Sequence, residues 1–121
     1  DSNNFLNQIL QQATNEGKVE FHSSPSSSKD YISIDDVVER IIQVVTRGKE
    51  RVYNIGCGMN TSNQQLAEEL KKCGIPSFFN KTAKEWIFPD LDVSKSLEEF
   101  GTVKNNISKD FESLLTLYKN I

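Results

Sequence analysis

Lys29-Asp30-Tyr31-Ile32-Ser33-Ile34-Asp35-Asp36-Val37-Val38, running on through Arg47-Gly48 to Arg51-Val52-Tyr53-Asn54-Ile55-Gly56-Cys57-Gly58, holds the densest run of structural signals in the chain. Tyr31 to Ile34 is β-prone and predicts a short strand. A helix then opens on Ser33 or Asp35, whose side-chain oxygens can accept from the orphan N–H groups of a first turn. Asp35, Asp36 and Glu39 suit the positive end of its dipole, and Arg47 the negative end. Gly48 is expected to stop it in the left-handed conformation that glycine takes cheaply. Val37, Val38, Ile41, Ile42, Val44 and Val45 make a wider apolar band than a helix lying on one surface needs, which predicts cover on more than one side. A second strand, Val52 to Ile55, comes next, then Gly56-Cys57-Gly58 and another helix. Strand, helix, strand, helix is the pattern of a parallel α/β sheet.

Working outward, Phe5, Leu6, Ile9, Leu10 and Ala13 recur at helical spacing and predict a helix from about Asn3 to Asn15, stopped near Gly17. Lys18 to His22 alternates, with Val19 and Phe21 on one face, and predicts a strand. Ser23 to Ser28 is serine-rich around Pro25 and reads as a loop. On the other side, Thr61 or Ser62 caps a helix bearing Leu66, Ala67, Leu70 and Cys73, with Ser62 and Gln65 at capping-box spacing and Gly74 ending it. Ser77-Phe78-Phe79 is a short candidate strand, and Lys81 to Asp90 reads as irregular. Asp92 or Ser94 opens a short helix with Leu97 and Phe100, closed by Gly101. Ser108 opens the last helix, whose inner face is Phe111, Leu114, Leu115, Tyr118 and Ile121.

Length and composition fit one α/β domain over residues 1–121. Apolar residues make up 36% and charged residues 26%. The net charge of -3 supplies no basic face to offset phosphate repulsion, so nucleic acid is not an expected partner. No apolar run approaches the ~20 residues of a membrane span. Cys57 and Cys73 form no C-x-x-C pair, and free thiols in a cytoplasmic setting are expected. The only methionine is Met59 and the first residue is Asp1, which leads to the expectation of a piece of a longer protein.

The candidate chemistry is sparse. Gly56-Cys57-Gly58 follows a strand and precedes a helix, as a dinucleotide loop does, but Thr61 stands where a third glycine belongs, so a capped turn is the preferred reading. His22, the single histidine, has no nucleophile or orienting acid assigned by the sequence. The pair Asp35-Asp36 is explained by its place in a first helical turn. Trp86 and Phe88 read as core, with a stacking surface for a base as the alternative. Lys29, between a serine loop and a strand, is a candidate anion ligand or a solvated lysine.

Taken together, the motifs resemble the C-terminal part of the NAD-dependent epimerase/dehydratase family, the extended short-chain dehydrogenase/reductases that act on nucleotide sugars. That family shows Arg-Asp-Tyr/Phe, an aliphatic-x-aliphatic step and Asp-Asp-Val before a helix, then Tyr-Asn-aliphatic-Gly, a further Gly, and a Ser- or Thr-capped helix. Here these are Lys29 to Val37, Val52 to Gly58, and Thr61-Ser62. Leu91-Asp92-Val93-Ser94-Lys95-Ser96-Leu97 with Phe100-Gly101, and the ending Leu117-Tyr118-Lys119, extend the likeness. Asn4-Phe5-Leu6 and Val19-Glu20-Phe21 extend it in the other direction.

The resemblance implies an α/β fold of short parallel strands with flanking helices, lacking the N-terminal Rossmann core. The family's NAD loop and its Tyr-x-x-x-Lys are absent from this chain, so it implies no catalytic residue here. NAD or NADP would belong to the full-length protein and would not be bound by this fragment. The implied role is binding a nucleotide-diphosphate sugar for an epimerase, dehydratase or reductase (isomerase, lyase or oxidoreductase chemistry) in polysaccharide biosynthesis. An N-terminal Rossmann domain of the same protein is the implied partner. The implied substrate contacts are Asn4 at the diphosphate, Val19 and Phe21 on the strand that touches the base, Lys29 in place of the diphosphate-pairing Arg, and Glu85 near the ribose. The alternatives are a stand-alone binding or protein-interaction module of the same fold, and half of a homo-oligomer with exposed apolar surface.

Overall fold

The computed structural model describes residues 4–86 and 88–120. Asn3 and Ile121, placed above at the two ends of the helical pattern, lie outside the described residues. The elements are α1 (Phe5–Glu16), β1 (Val19–Ser23), β2 (Ser28–Asp30), α2 (Ile34–Arg47), β3 (Asn60–Ser62), α3 (Asn63–Lys72), β4 (Ser77–Lys84), α4 (Ser94–Phe100) and α5 (Ile107–Lys119).

Local chemistry sets the helix ends. Asn4 Oδ1 accepts from Asn7 N at 2.8 Å and caps α1, and Gly17 closes it at φ 71, donating to the Ala13 carbonyl. Ser62 and Gln65 form the capping box of α3 in both directions. Ser33 caps α2, accepting from Asp36 N at 3.1 Å. The last helix is capped two residues earlier than Ser108, by Asn106 Oδ1. Val93, not Asp92 or Ser94, occupies the N-cap of α4, although Asp92 Oδ1 accepts from Ser94 N.

Gly48 ends α2 for a different reason from the one expected. Its φ is -67, so no left-handed cap is present. A Cβ there would stand 2.5 Å from the Val44 carbonyl oxygen and 3.2 Å from the Tyr53 ring. Glycine is required for space.

The core lies between α1, α3, α5 and the β1/β4 pair. Ile9, Leu10 and Ala13 of α1, Val19 and Phe21 of β1, Leu66 and Leu70 of α3, Ile75, and Phe111 and Leu115 of α5 are buried together. β1 and β4 pair in parallel, Val19 opposite Ser77 and Phe21 opposite Phe79. The Phe21 and Phe79 rings stack with centroids 4.7 Å apart, a contact worth about 0.5–1.5 kcal/mol beyond its buried area. β2 and β3 form a separate antiparallel pair.

Four expectations are corrected. Ser28 to Asp30 is the strand in the central stretch, and Tyr31 to Ser33 only leads into α2. Val52 to Ile55 forms no strand: the expected parallel pairing there has no neighbouring strand among the described residues to take its backbone groups. Side-chain ties hold this segment instead, with the Tyr53 hydroxyl donating to Glu99 at 2.5 Å and Asn54 Nδ2 donating to the Asp92 carbonyl. The parallel partner of β1 is β4, which runs on to Lys84 through residues expected to be irregular.

The fourth correction is α2. Its buried residues are Asp36 and Arg40, at 3% and 4% exposure, while Ile34, Val38, Ile41, Ile42 and Val45 are exposed, Val45 at 78%. Asp36 accepts from the backbone N–H groups of Lys104 and Asn105. Arg40 donates to the Gly101 carbonyl at 2.6 Å and lies 5.6 Å over the Phe100 ring. The irregular backbone after α4 needs partners when buried, and the polar face of α2 supplies them.

Candidate functional site

A cavity of about 680 Å³ opens between α1, β1, the serine loop and the segment after β4. Its volume is in the range that holds a nucleotide-sized ligand. One wall is the polar face of α1, Gln8, Gln11, Gln12 and Asn15, spaced i, i+3, i+4 and i+7. Glu20 and His22 of β1, Lys29 and Tyr31, and Trp86 and Phe88 complete most of it.

The strand's period of two decides which β1 side chains are available. Val19 and Phe21 are core residues and do not line the cavity. Their neighbours Glu20 and His22 do, with His22 Nε2 4.0 Å from a Glu20 carboxylate oxygen. The alternation that turns Val19 and Phe21 inward turns Glu20 and His22 toward the cavity.

Lys29 is the cation of the cavity. Its ammonium lies 5.3 Å from the Phe5 ring centroid and 5.4 Å from that of Tyr31, a placement that favours a positive group over aromatic faces. Burial lowers its pKa below the ordinary lysine value, and burial raises that of the Tyr31 phenol. Asn4 caps the helix at the end where Phe5 meets Lys29. Glu85 is exposed and holds the Ser26 hydroxyl outside the cavity lining.

The serine loop is tied to the segment after β4. Ser24 N donates to the Lys84 carbonyl, Trp86 N to Ser27 Oγ, Ser28 N to the Trp86 carbonyl and Phe88 N to the Ser28 carbonyl. Asn63 Nδ2 donates to Ser23 Oγ and the Ser24 carbonyl. This lacing leaves Trp86 and Phe88 in the cavity wall at 61% and 51% exposure, so the core reading of these two residues is corrected.

Gly56-Cys57-Gly58 is a turn with its anion already in place. Cys57 N and Gly58 N donate to the two carboxylate oxygens of Asp30 at 3.1 and 2.9 Å. Those N–H groups are the ones a pyrophosphate would use. Cys57 Sγ also lies 2.9 Å from Asp30 Oδ1. Burial first, and the Asp30 hydrogen bond second, push the Cys57 thiol up. Among the described residues no group of three or more His, Cys, Asp or Glu forms a metal site, and no helix is long and apolar enough to cross a membrane. The arrangement is that of a binding cavity: one cation, two carboxylates toward the other end of α1, amides and aromatic faces.

No protein-family model matches the chain, and no curated protein does. Solved structures do. MoeE5 in complex with UDP-glucuronic acid and NAD superposes with a TM-score of 0.74 at 17% identity, over 98% of this chain and 42% of that one. TunA, an NAD-dependent NDP-hexosamine 5,6-dehydratase involved in tunicamycin biosynthesis, gives 0.76 at 14% identity, over 98% and 41%. The Helicobacter pylori ADP-L-glycero-D-manno-heptose-6-epimerase gives 0.74 at 17% identity, over 94% and 37%.

The fold is that of the C-terminal portion of extended short-chain dehydrogenase/reductases. Identities this low establish the shared fold. A monomeric L-threonine 3-dehydrogenase matches as well, with a TM-score of 0.70, so the fold by itself selects no substrate. The chain spans about two-fifths of the length of the structures it matches.

Proposed function

We propose that this chain is the nucleotide-sugar-binding part of an NAD(P)-dependent sugar epimerase, dehydratase or reductase, with no catalysis of its own. The observation that carries the reading is a nucleotide-sized cavity with a single lysine at one end, in a fold shared with MoeE5 bound to UDP-glucuronic acid and NAD. Lys29 would attract the diphosphate as a point charge, without the two-pronged grip of an arginine. Asn4 lies at the same end, and Glu85, which holds Ser26 outside the cavity lining, would meet a ribose only from outside that wall. Val19 and Phe21 act from beneath, fixing the strand that presents Glu20 and His22. Two free thiols suit the cytoplasmic setting that sugar-nucleotide chemistry implies.

The exposed apolar face of α2 supports the partner. Ile34, Val38, Ile41, Ile42 and Val45 recur along one side of the helix with Val52 exposed nearby in sequence, and a patch of this kind marks an interaction surface. In this reading an N-terminal Rossmann domain of the same protein covers it and supplies NAD or NADP. That face also favours a second reading, a stand-alone interaction module or homo-oligomer of the same fold.

Calorimetric titration of the chain with UDP, dTDP, ADP, GDP and UDP-glucose tests the proposal. At least one is expected to bind, and Lys29→Ala to weaken it by about 10- to 100-fold, as loss of a charged hydrogen-bond partner does. No heat with any of the five ligands sinks it. Because the Lys29 pKa is lowered, affinity should fall on the alkaline side at a lower pH than an ordinary lysine would give.

A further inference from the structure

We infer that Trp86 is a stacking platform for the nucleobase, and that the amide row of α1 reads the edge of the stacked base. The inference rests on the nucleotide-binding reading above and names the part of the cavity that takes the base.

Trp86 is the only tryptophan of the chain. A large aromatic ring left 61% exposed forgoes the burial that normally places it inside. Its backbone is nevertheless fixed, because Trp86 N donates to Ser27 Oγ at 2.8 Å and its carbonyl accepts from Ser28 N at 3.0 Å. Ser27 itself is buried. A fixed backbone carrying an exposed, flat side chain into a cavity is a ready platform, and stacking on it is tolerant of which base is present.

Discrimination needs hydrogen-bonding groups beside the platform. Gln8, Gln11 and Asn15 line the same cavity from one face of α1. Each carries an amide donor and acceptor, the chemistry that matches a base edge. Charge sorts the ends. Lys29 sits against Phe5 at the start of α1, while Glu16 and Glu20 line the cavity toward its end. The rise from Phe5 to Glu16 is roughly 16 Å at 1.5 Å per residue, long enough for a nucleoside diphosphate. The phosphates belong at the Lys29 end, away from the two glutamates, and the base lies along the amide row.

A lone tryptophan makes the test direct. Its emission is followed while ADP, GDP, UDP, dTDP and inorganic pyrophosphate are titrated into the 121-residue chain, with calorimetry on the same samples. A nucleotide that binds is expected to quench the emission with the calorimetric Kd, and pyrophosphate to leave it unchanged. Trp86→Ala, read by calorimetry, is expected to weaken that nucleotide by about 5- to 100-fold, and Trp86→Phe to keep it within about threefold, in line with base–aromatic stacking. Gln8→Ala and Asn15→Ala are expected to change the preference among the four nucleotides. A nucleotide that binds with no change in emission and with equal affinity for Trp86→Ala overturns this inference and leaves the proposed function standing. Silence toward all four nucleotides overturns this inference, and silence toward UDP-glucose as well overturns both.

Discussion

Two helical regions of this molecule use apolar residues in opposite ways. In α1, α3 and α5 the apolar stripe faces inward, and Leu10, Leu66, Leu70, Phe111 and Leu115 are fully buried around Phe21. In α2 the stripe faces outward, and the buried side chains are a carboxylate and a guanidinium. The first region holds itself together by the hydrophobic effect. The second is held by directed polar contacts to the segment after α4, with its apolar face left for something else. Sequence periodicity reports that a face is apolar. It does not report whether this chain or another polypeptide covers it.

The largest expected effect breaks the first region. Phe111→Ala should cost about 3–5 kcal/mol in urea unfolding, the usual range for a buried phenylalanine. A loss below about 1 kcal/mol would place the core elsewhere. Next comes the polar anchor of α2. Asp36→Ala leaves the N–H groups of Lys104 and Asn105 without their acceptor, and unfolding should cost about 1–3 kcal/mol. An unchanged midpoint would mean that this contact does not hold α2.

Asp30→Asn probes the turn that the same stretch of sequence builds. The carboxylate raises the Cys57 thiol and accepts two backbone N–H groups. Removing its charge should lower the thiol pKa, so the thiolate forms at lower pH and iodoacetamide alkylates Cys57 faster at pH 8. A Cys73→Ser background keeps the reading on one thiol. The rate–pH curve should move toward acid, and an unmoved curve would show that burial alone sets the thiol.

The smallest expected effect is the sharpest for the comparison. Replacing Ile42 and Val45 with Asp and Lys should change the stability of the isolated chain by no more than about 0.5 kcal/mol, as exposed substitutions do. Light scattering at high concentration should show less self-association than the parent chain. A loss above 2 kcal/mol would mean that these residues pack within the chain, and α2 would then be an ordinary core helix.

The helices were legible because their signals are local. Ser62 with Gln65, Gly17 after α1, and the Leu66–Leu70 and Phe111–Leu115 spacings each concern residues within a few positions. The site was legible in part. Lys29 stood out as a cation beside a serine loop, and it does line the cavity. Glu20 carries no sequence signal beyond the alternation of β1, His22 stands out only as a lone histidine, and Trp86 reads first as core, with a stacking surface as the alternative, because aromatic residues are usually inside. Val52 to Ile55 has β-branched and aromatic residues that suit a strand, yet a strand exists only against a neighbour, and the described residues provide none.

Signals local to the chain placed α1, α2, α3 and α5, the Gly17 stop of α1, the Ser62–Gln65 capping box of α3 and the apolar faces of α1, α3 and α5. Only the tertiary structure decided that β1 pairs with β4, that Asp36 and Arg40 turn inward while Ile42 and Val45 turn out, and that Trp86 faces a cavity. The physical reason is range. Caps and periodicity are fixed by neighbours along the chain, whereas pairing and burial depend on which distant surface a face meets, and for α2 the described residues provide no such surface for its apolar side.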